Sequence, residues 1–459
     1  MTRNTLILAA TIGLIASSTS LAAVSADEAK QLGTTLTPWG AIKAGNKDGS
    51  IPPYTGPLKP PASYDPSKPG VRPDPFADEK PLFSVTAANM SQYADKLAEG
   101  VKAMLKKYPT YRLDVYPTHR TANYPKRYLD NTVKNATQCK TESDGLQISG
   151  CLGGLPFPIP KTGSEVMWNR AFQYDSYSLV FHGGRNYVMG NTGQLVLAGG
   201  FEQWLHYENF DPKNADKVIE RDAYYMKNRA DWDRPARKAG EKFLVLDSVD
   251  MVDVGRRAWQ YLPGQRRVKL APDLSYDTPS PVGGGALTMD DNSVFFGALD
   301  RYDWKLIGKK EMFIPANSYK ISDPKLCPSS VAYMKDHLNP DCVRWELHRV
   351  WVVEADLKPG KRHVYPKRVF YWDEDLPAAG MGDNYDAAGK VYRFSHGLPI
   401  TLYESEGQGH VTSQWVTYDL ATGVYARQQD LTDEGSVVVK APPPNTFFSP
   451  EAIASGGVR

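Results

Sequence analysis

Trp345-Glu346-Leu347-His348-Arg349-Val350-Trp351-Val352-Val353-Glu354-Ala355 is the stretch on which the fold turns. Its β-branched and aromatic content predicts a long strand. Trp345, Leu347, Arg349, Trp351 and Val353 then share one face, and Glu346, His348, Val350, Val352 and Glu354 the other. Neither face is cleanly polar. Phe370 and Trp372, alternating with Val369, Tyr371 and Asp373, repeat the pattern. Both surfaces of such a sheet are therefore expected to be covered, one by a helix and the other around a cavity.

Outward from this run, further period-two segments are predicted at 194–207, 217–227, 242–252, 257–262, 265–270, 302–313, 363–372, 391–395 and 411–418. Pro263-Gly264, residues 386–389 and residues 421–423 read as hairpin turns. Consecutive hairpins without crossover helices imply an antiparallel sheet, and one this extended must curl to hide its edges and apolar face. The predicted fold is mainly β with added helices: a large, partly open antiparallel barrel over 164–445, followed by a C-terminal tail at 446–459. Trp204, Trp259, Trp304, Trp345, Trp351, Trp372 and Trp415 are the candidate lining of a greasy pocket. Aromatic residues also dominate ordinary cores, so simple core filling is the alternative.

The N-terminus sets the compartment. Arg3 precedes an apolar run at 6–15, too short for the roughly 20 residues of a membrane-spanning helix, and Ser20, Ala22 and Ala23 are cleavage-site candidates. This reads as a secretory signal peptide at 1–23, cleaved near Ala22 or Ala23. No cysteine lies there to carry a lipid anchor, so a soluble periplasmic protein is expected. Cys139 with Cys151 and Cys327 with Cys342 form two close pairs, which an oxidising compartment turns into local disulfides. Neither spacing matches the knuckles of a zinc site. With 54 basic against 52 acidic side chains, a net charge of +2 gives no electrostatic reason to bind nucleic acid or an anionic membrane.

Residues 24–163 differ in composition from the strands. Pro52, Pro53, Pro57, Pro60, Pro61, Pro66, Pro69, Pro73, Pro75 and Pro81 handicap both helix and ladder. Trp39, Tyr54, Tyr64 and Phe76 argue that this arm wraps rather than dangles. Residues 86–108 carry Met90, Tyr93, Ala94, Leu97, Val101, Met104, Leu105 and Tyr108 at three- and four-residue steps, an amphipathic helix stopped by Pro109. This helix is the candidate moving lid.

Signatures of catalysis are missing: there is no H-E-x-x-H, no G-x-S-x-G and no phosphate-cradling P-loop. His348 and His363 fall in predicted strands and could meet across a sheet, although an isolated strand histidine is more often structural. The clusters Asp373-Glu374-Asp375 and Asp290-Asp291 could supply a glycosidase-like acid pair only if the fold spaces them suitably. Asp383-Asn384-Tyr385-Asp386 lacks the EF-hand spacing and reads as a turn. No cofactor or metal is expected.

Several segments carry a family resemblance. Ala23-Val24-Ser25-Ala26-Asp27-Glu28-Ala29, Pro73-Asp74-Pro75-Phe76-Ala77-Asp78-Glu79-Lys80-Pro81-Leu82-Phe83 and Pro109-Thr110-Tyr111-Arg112-Leu113-Asp114-Val115-Tyr116-Pro117-Thr118 resemble a family of exported Gram-negative proteins of unassigned function. So do Pro156-Phe157-Pro158-Ile159-Pro160, Arg301-Tyr302-Asp303-Trp304-Lys305 and the Glu346 to Ala355 run. Members are described as resembling the outer-membrane lipoprotein-sorting carriers, and Trp259-Gln260-Tyr261-Leu262-Pro263-Gly264-Gln265-Arg266-Arg267-Val268 is similar to the carriers' hairpins. The resemblance implies an unclosed antiparallel barrel capped by helices around an apolar cavity. It also implies periplasmic transfer of a lipid-like or other hydrophobic molecule, with an inner-membrane efflux-type permease and an outer-membrane channel protein as partners. The chain is much longer than those carriers, and residues 24–163 have no counterpart there. The expected function is a non-enzymatic carrier; the alternatives are an exported hydrolase of polysaccharide or lipid, and an envelope assembly scaffold.

Overall fold

The computed structural model describes residues 24–411 and 414–455; the signal-peptide reading at 1–23 lies outside them. Strands β1 (Phe83–Val85), β2 (Leu113–Val115), β3 (Lys140–Glu142) and β4 (Gln147–Ser149) belong to the N-terminal region. The main series follows as β5 (Ser178–Met189), β6 (Leu195–His206), β7 (Tyr224–Arg234), β8 (Lys242–Ser248), β9 (Arg256–Leu262), β10 (Arg267–Leu270), β11 (Tyr302–Pro315) and β12 (Trp345–Leu357). It closes with β13 (Lys367–Asp373), β14 (Gly380–Tyr385), β15 (Val391–Gly397), β16 (Ile400–Thr401), β17 (His410–Val411), β18 (Trp415–Asp419), β19 (Tyr425–Asp430) and β20 (Ser436–Val439). The helices are α1 (Ala26–Ala29), α2 (Glu99–Lys107), α3 (Lys126–Gln138), α4 (Gly163–Ala171), α5 (Ser329–Ala332) and α6 (Pro450–Ser455).

Sixteen strands form one sheet. Its antiparallel run is β11-β12-β13-β14-β15-β18-β19-β5-β6-β7-β8-β9-β10. A bulge at His182-Gly183 lets β5 pair first with β20 and then with β19. β2 joins the start of β12 in parallel through Trp345 and Val115. The two ends, β10 and β11, do not pair, so the barrel is open.

Curling follows from the packing. One cluster on the inner face joins Leu205, Val245 and Ala258 from one half of the sheet to Val353, Phe370 and Trp372 from the other, with Met167 and Trp168 of α4 and Phe295 of the β10–β11 connection between them. The opposite face of β12–β19 packs Val369, Phe394, Tyr418 and Tyr425 beneath Val101, Met104 and Leu105 of α2. Both faces of the Trp345 run are thus buried, as its mixed pattern requires: Val350 and Val352 join the outer cluster, Val353 and Ala355 the inner one.

The segment expected as one helix over 86–108 is broken. A 3-10 turn at Met90–Lys96 is followed by extended Leu97 and Ala98, and only then by α2. Asp383 of β14 dictates the restart, because its carboxylate accepts the Glu99 and Gly100 N–H groups at 3.0 and 2.9 Å. A Cβ at Gly100 would run into the Phe394 ring, so the helix lies flat on the outer face. It cannot cover the interior there; α4 does. Asp383 to Tyr385 are strand rather than turn, and the turn begins at Asp386, whose carboxylate accepts the Ala388 and Lys390 N–H groups.

The proline-rich arm wraps. Trp39 is buried edge-on against Tyr54 and Tyr124 at 5.1 Å each, Tyr64 meets Tyr403 at 5.0 Å, and Phe76 stacks on His119 at 3.9 Å. Cys139 is bonded to Cys151 across the β3–β4 hairpin, and Cys327 to Cys342 beside the start of β12. The C-terminal segment ends in α6, seated on β8, β9 and β10.

Candidate functional site: a plugged lumen

The inner face of β6, β7 and β8 supplies one wall of a lumen. Strand alternation places Phe201, Gln203 and Leu205, then Asn228, Ala230 and Trp232, then Phe243 and Val245 side by side on it, in the register Phe201 to Trp232 and Ala230 to Phe243. The connection from β10 to β11, residues 271–301, is folded into the opening. A connection this long, with two short 3-10 turns at Pro272–Ser275 and Met289–Asp291 but no strand or α-helix of its own, is usually functional.

The connection has two parts. Its root, residues 290–299, sends Val294, Phe295 and Leu299 into the main inner cluster. Asp290 and Asp291 receive Arg368 at 2.6 and 2.8 Å, His363 Nε2 lies 2.9 Å from Asp290, and the Tyr365 hydroxyl donates to Asp291 at 2.7 Å. Burial pushes the Asp290 carboxyl up, but the Arg368 charge and the His363 hydrogen bond outweigh it and hold the group below the usual carboxylate range. Its flap, residues 278–289, is a narrow loop tied by Met289 N–H to the Thr278 carbonyl and Ser280 N–H to the Leu287 carbonyl. Gly284 and Gly285 turn the tip with φ of +56° and +82°. Val282, Ala286 and Leu287 rest on Val188, Ala198 and Ala426, a small cluster separate from the main core.

Three adjoining cavities remain between connection and sheet. One of about 130 Å³ lies under the flap, lined by Phe201, Trp232, Phe243, Val282, Met289 and Trp415 among others. The second, about 120 Å³, shares Gln203, Asn228, Asn292, Phe296, Trp415 and Gln429 with it and reaches Arg170, Asp175 and Tyr225. The third, about 230 Å³, meets them at Arg256 and Tyr225. One wall carries linked amides: Gln203 Nε2 donates to Asn228 Oδ1 at 3.0 Å, and Gln429 Nε2 to Gln203 Oε1. Arg256 grips the connection on either side of the flap, donating to the Leu274 and Phe296 carbonyls at 3.1 and 2.9 Å while paired with Asp247.

Of the indoles named from the sequence, Trp415 lines the lumen. Trp204 and Trp259 point to the outer face, where they pack with Phe447, Phe448 and Ile453 around α6. Trp304 donates to the Leu299 carbonyl and packs on Phe295 at the root. Trp345 is buried beside His396, Trp351 lies under the Lys309 ammonium at 4.4 Å, and Trp372 stacks on Phe370 with its N–H toward Met167 Sδ. Strand parity turns Trp204 and Trp259 outward, whereas Trp304 and Trp372 face inward but are covered by α4 and the root of the connection. The lining that the sequence reading missed, Gln203, Asn228, Trp232 and Gln429, lies at inward positions whose signal was polar amides recurring at strand period.

The candidate catalytic groups are held by one another. His348 and His363 do not meet, since β13 begins only at Lys367 and leaves His363 in the preceding loop. His348 sits between Glu346 and Asp373 at 3.1 and 2.9 Å. Burial opposes its charge, but the two carboxylates outweigh that and raise it to about 10. Asp375 pairs with Arg120 at 2.7 Å and Glu374 with Lys309 at 2.6 Å. Among the described residues no cluster of three metal-binding side chains occurs, and no helix is long and apolar enough to cross a membrane.

Fold and lumen together define an open antiparallel barrel with an inserted plug. The chain belongs to the DUF1329 family, proteins of unknown function, whose pattern matches residues 84–454. It is similar to the uncharacterized protein PA3922 of Pseudomonas aeruginosa, 39% identical over 443 residues that cover 96% of this chain and 95% of that one. Solved structures similar to it include a DUF1329 family protein from Desulfovibrio piger, with TM-score 0.41 and 15% identity over 63% of this chain and 97% of that one. A putative outer membrane lipoprotein-sorting protein domain from Vibrio parahaemolyticus gives TM-score 0.41 and 12% identity over 63% and 97%. The LolA superfamily protein NE2245 of Nitrosomonas europaea gives 0.34 and 10% over 63% and 98%.

Proposed function

We propose that the protein is a periplasmic carrier that takes up a lipid-like or other hydrophobic molecule in the barrel lumen and hands it on between inner and outer membrane. The observation that carries this reading is the set of adjoining cavities between the sheet and the long β10–β11 connection, the one under the flap largely apolar. Each is smaller than the roughly 300 to 1,000 Å³ of a ligand-filled pocket. The structure is therefore read as a closed form, in which the flap takes the space a cargo would need. Moving it out exposes Val282 and Met289 together with Phe201, Trp232 and Phe243, and an entering chain re-covers them at about 25 cal/mol per Å² of apolar surface.

The root stays fixed through Arg368, while the flap is held by the small apolar cluster at its base and by hydrogen bonds from Arg393 to the Gly285 carbonyl and from Gln428 to the Val282 carbonyl, which must break for it to swing out. Two disulfides suit an oxidising compartment. An efflux-type permease as donor and an outer-membrane channel protein as acceptor are the partners such a shuttle needs. The cavities weigh against a pure scaffold, which has no use for an unfilled barrel, and the carboxylates a hydrolase would use are tied into ion pairs.

The test is native mass spectrometry with lipid extraction on mature protein purified from a Gram-negative periplasm without detergent. The expected result is a stoichiometric apolar molecule. An empty protein that also fails to bind fluorescent fatty acids would overturn the carrier reading.

A further inference from the structure

The interior contains many guanidinium groups, and nearly all have an acid. Arg120, Arg256, Arg344, Arg368, Arg393 and Arg427 each pair with an aspartate or glutamate. Arg170 breaks the pattern. It sits in the last turn of α4, lines the second cavity and forms no ion pair among the described residues. Its Nη2 donates to the Ser293 carbonyl at 2.9 Å, its Nε is shielded from solvent and bonds to nothing, and its guanidinium lies 5.8 Å from the Trp372 ring. Burial pulls its pKa down, yet an arginine stays charged in a protein. A buried cation without a counter-charge is costly unless something supplies one.

The carboxyl lining the same cavity does so only in part. Asp175 accepts from Gln173 Nε2 at 2.9 Å and forms no ion pair with Arg170 among the described residues; the Arg170 charge draws its pKa down, but burial outweighs this and raises it to about 7, so near neutrality part of it is uncharged. A second donor also lacks an acceptor. The Trp415 indole N–H, on a side chain only 7% exposed, has no partner among the described residues and lies where the second cavity joins the apolar one under the flap.

Resting on the carrier reading, we propose that the cargo is an anionic amphiphile whose oxyanion head, carboxylate or phosphate, is held by Arg170 while its tail runs past Trp415 into the cavity beneath the flap. The guanidinium fork matches either oxyanion through two parallel hydrogen bonds. The head would replace the Ser293 carbonyl on Nη2 while Arg368 keeps the root in place, and the tail displaces the flap. Trp415 N–H is placed for an acceptor near the head, such as an ester or hydroxyl oxygen.

The test is titration of delipidated mature protein with three ligands of equal chain length: oleate, oleyl phosphate and oleyl alcohol. Wild type is expected to bind at least one anion ten or more times more tightly than the alcohol; which anion wins separates a carboxylate from a phosphate source. Arg170→Gln should erase the preference while keeping the alcohol affinity, which also shows that the variant is folded, and Arg170→Lys should restore part of it. Equal binding of all three by wild type, or an unchanged preference in Arg170→Gln, overturns this inference and leaves the carrier intact. Binding of none overturns the carrier reading and the inference with it.

Discussion

The two halves of the sheet are built to different standards. In β13 and β15 nearly every residue is buried, because α2 covers one face and α4 with the connection's root covers the other; β18 and β19 are buried as fully but turn Trp415 and Gln429 toward the lumen. In β6, β7, β9 and β10 burial is patchy, β10 is mostly exposed, and the inner face meets cavities instead of side chains. Close packing fixes one arrangement, whereas a wall against unfilled space tolerates several. The first half is a frame, and the second is where the proposed carrier would take its cargo.

That contrast can be broken by mutation. The largest effect is expected from Arg368→Met, which leaves Asp290 and Asp291 buried beside an apolar side chain; a loss of about 3 to 5 kcal/mol in denaturant unfolding is expected. Trp372→Ala, a cavity in the frame, should cost about 4 kcal/mol by the same measurement. Replacing Cys327 and Cys342 by alanine should cost about 3 kcal/mol through the freed loop, with ligand exchange unchanged because the bond lies away from the lumen.

His348 gives the comparison a pH axis. Its folded value of about 10 exceeds its ordinary 6.5, so its stabilisation is complete below about pH 6.5 and drains away as pH rises toward 10. Unfolding free energy should fall by roughly 2 kcal/mol between pH 7 and 8.5, and His348→Gln should flatten that slope. The smallest effect belongs to the lumen: Trp232→Ala should cost only about 1 kcal/mol, since its ring already borders free space, while changing ligand affinity severalfold. A loss as large as that of Trp372→Ala would erase the distinction between the halves.

The frame was the more legible half. The Trp345 run and its neighbours carry apolar residues on both faces, and strands follow from that directly. The wall strand β7 was expected at 217–227 but runs from Tyr224 to Arg234, because Asn228, Arg229 and Asp231 replace the apolar alternation where one side faces an amide-lined cavity. β19 was missed for a related reason: Arg427, Gln428 and Gln429 are buried by hydrogen bonding instead of by hydrophobicity. β5 was hidden by Gly183 and Gly184, and the bulge at His182-Gly183 only makes sense once two partners share its edge. The lumen itself was not readable, since Arg170, residues 278–296 and Trp415 come together only through long-range packing. Period-two strands announce that a face exists; they do not say what is folded into it.

The most direct test of the central claim pins the flap. An added Cβ at Gly284 lies 3.4 Å from the Val188 Cβ, close to the spacing a disulfide needs, and among the described residues no free cysteine competes. In a Val188→Cys, Gly284→Cys double variant, uptake of a fluorescent fatty acid should be blocked when oxidised and return on mild reduction. Equal uptake in both states would show that cargo does not enter beneath the flap, and would contradict the account.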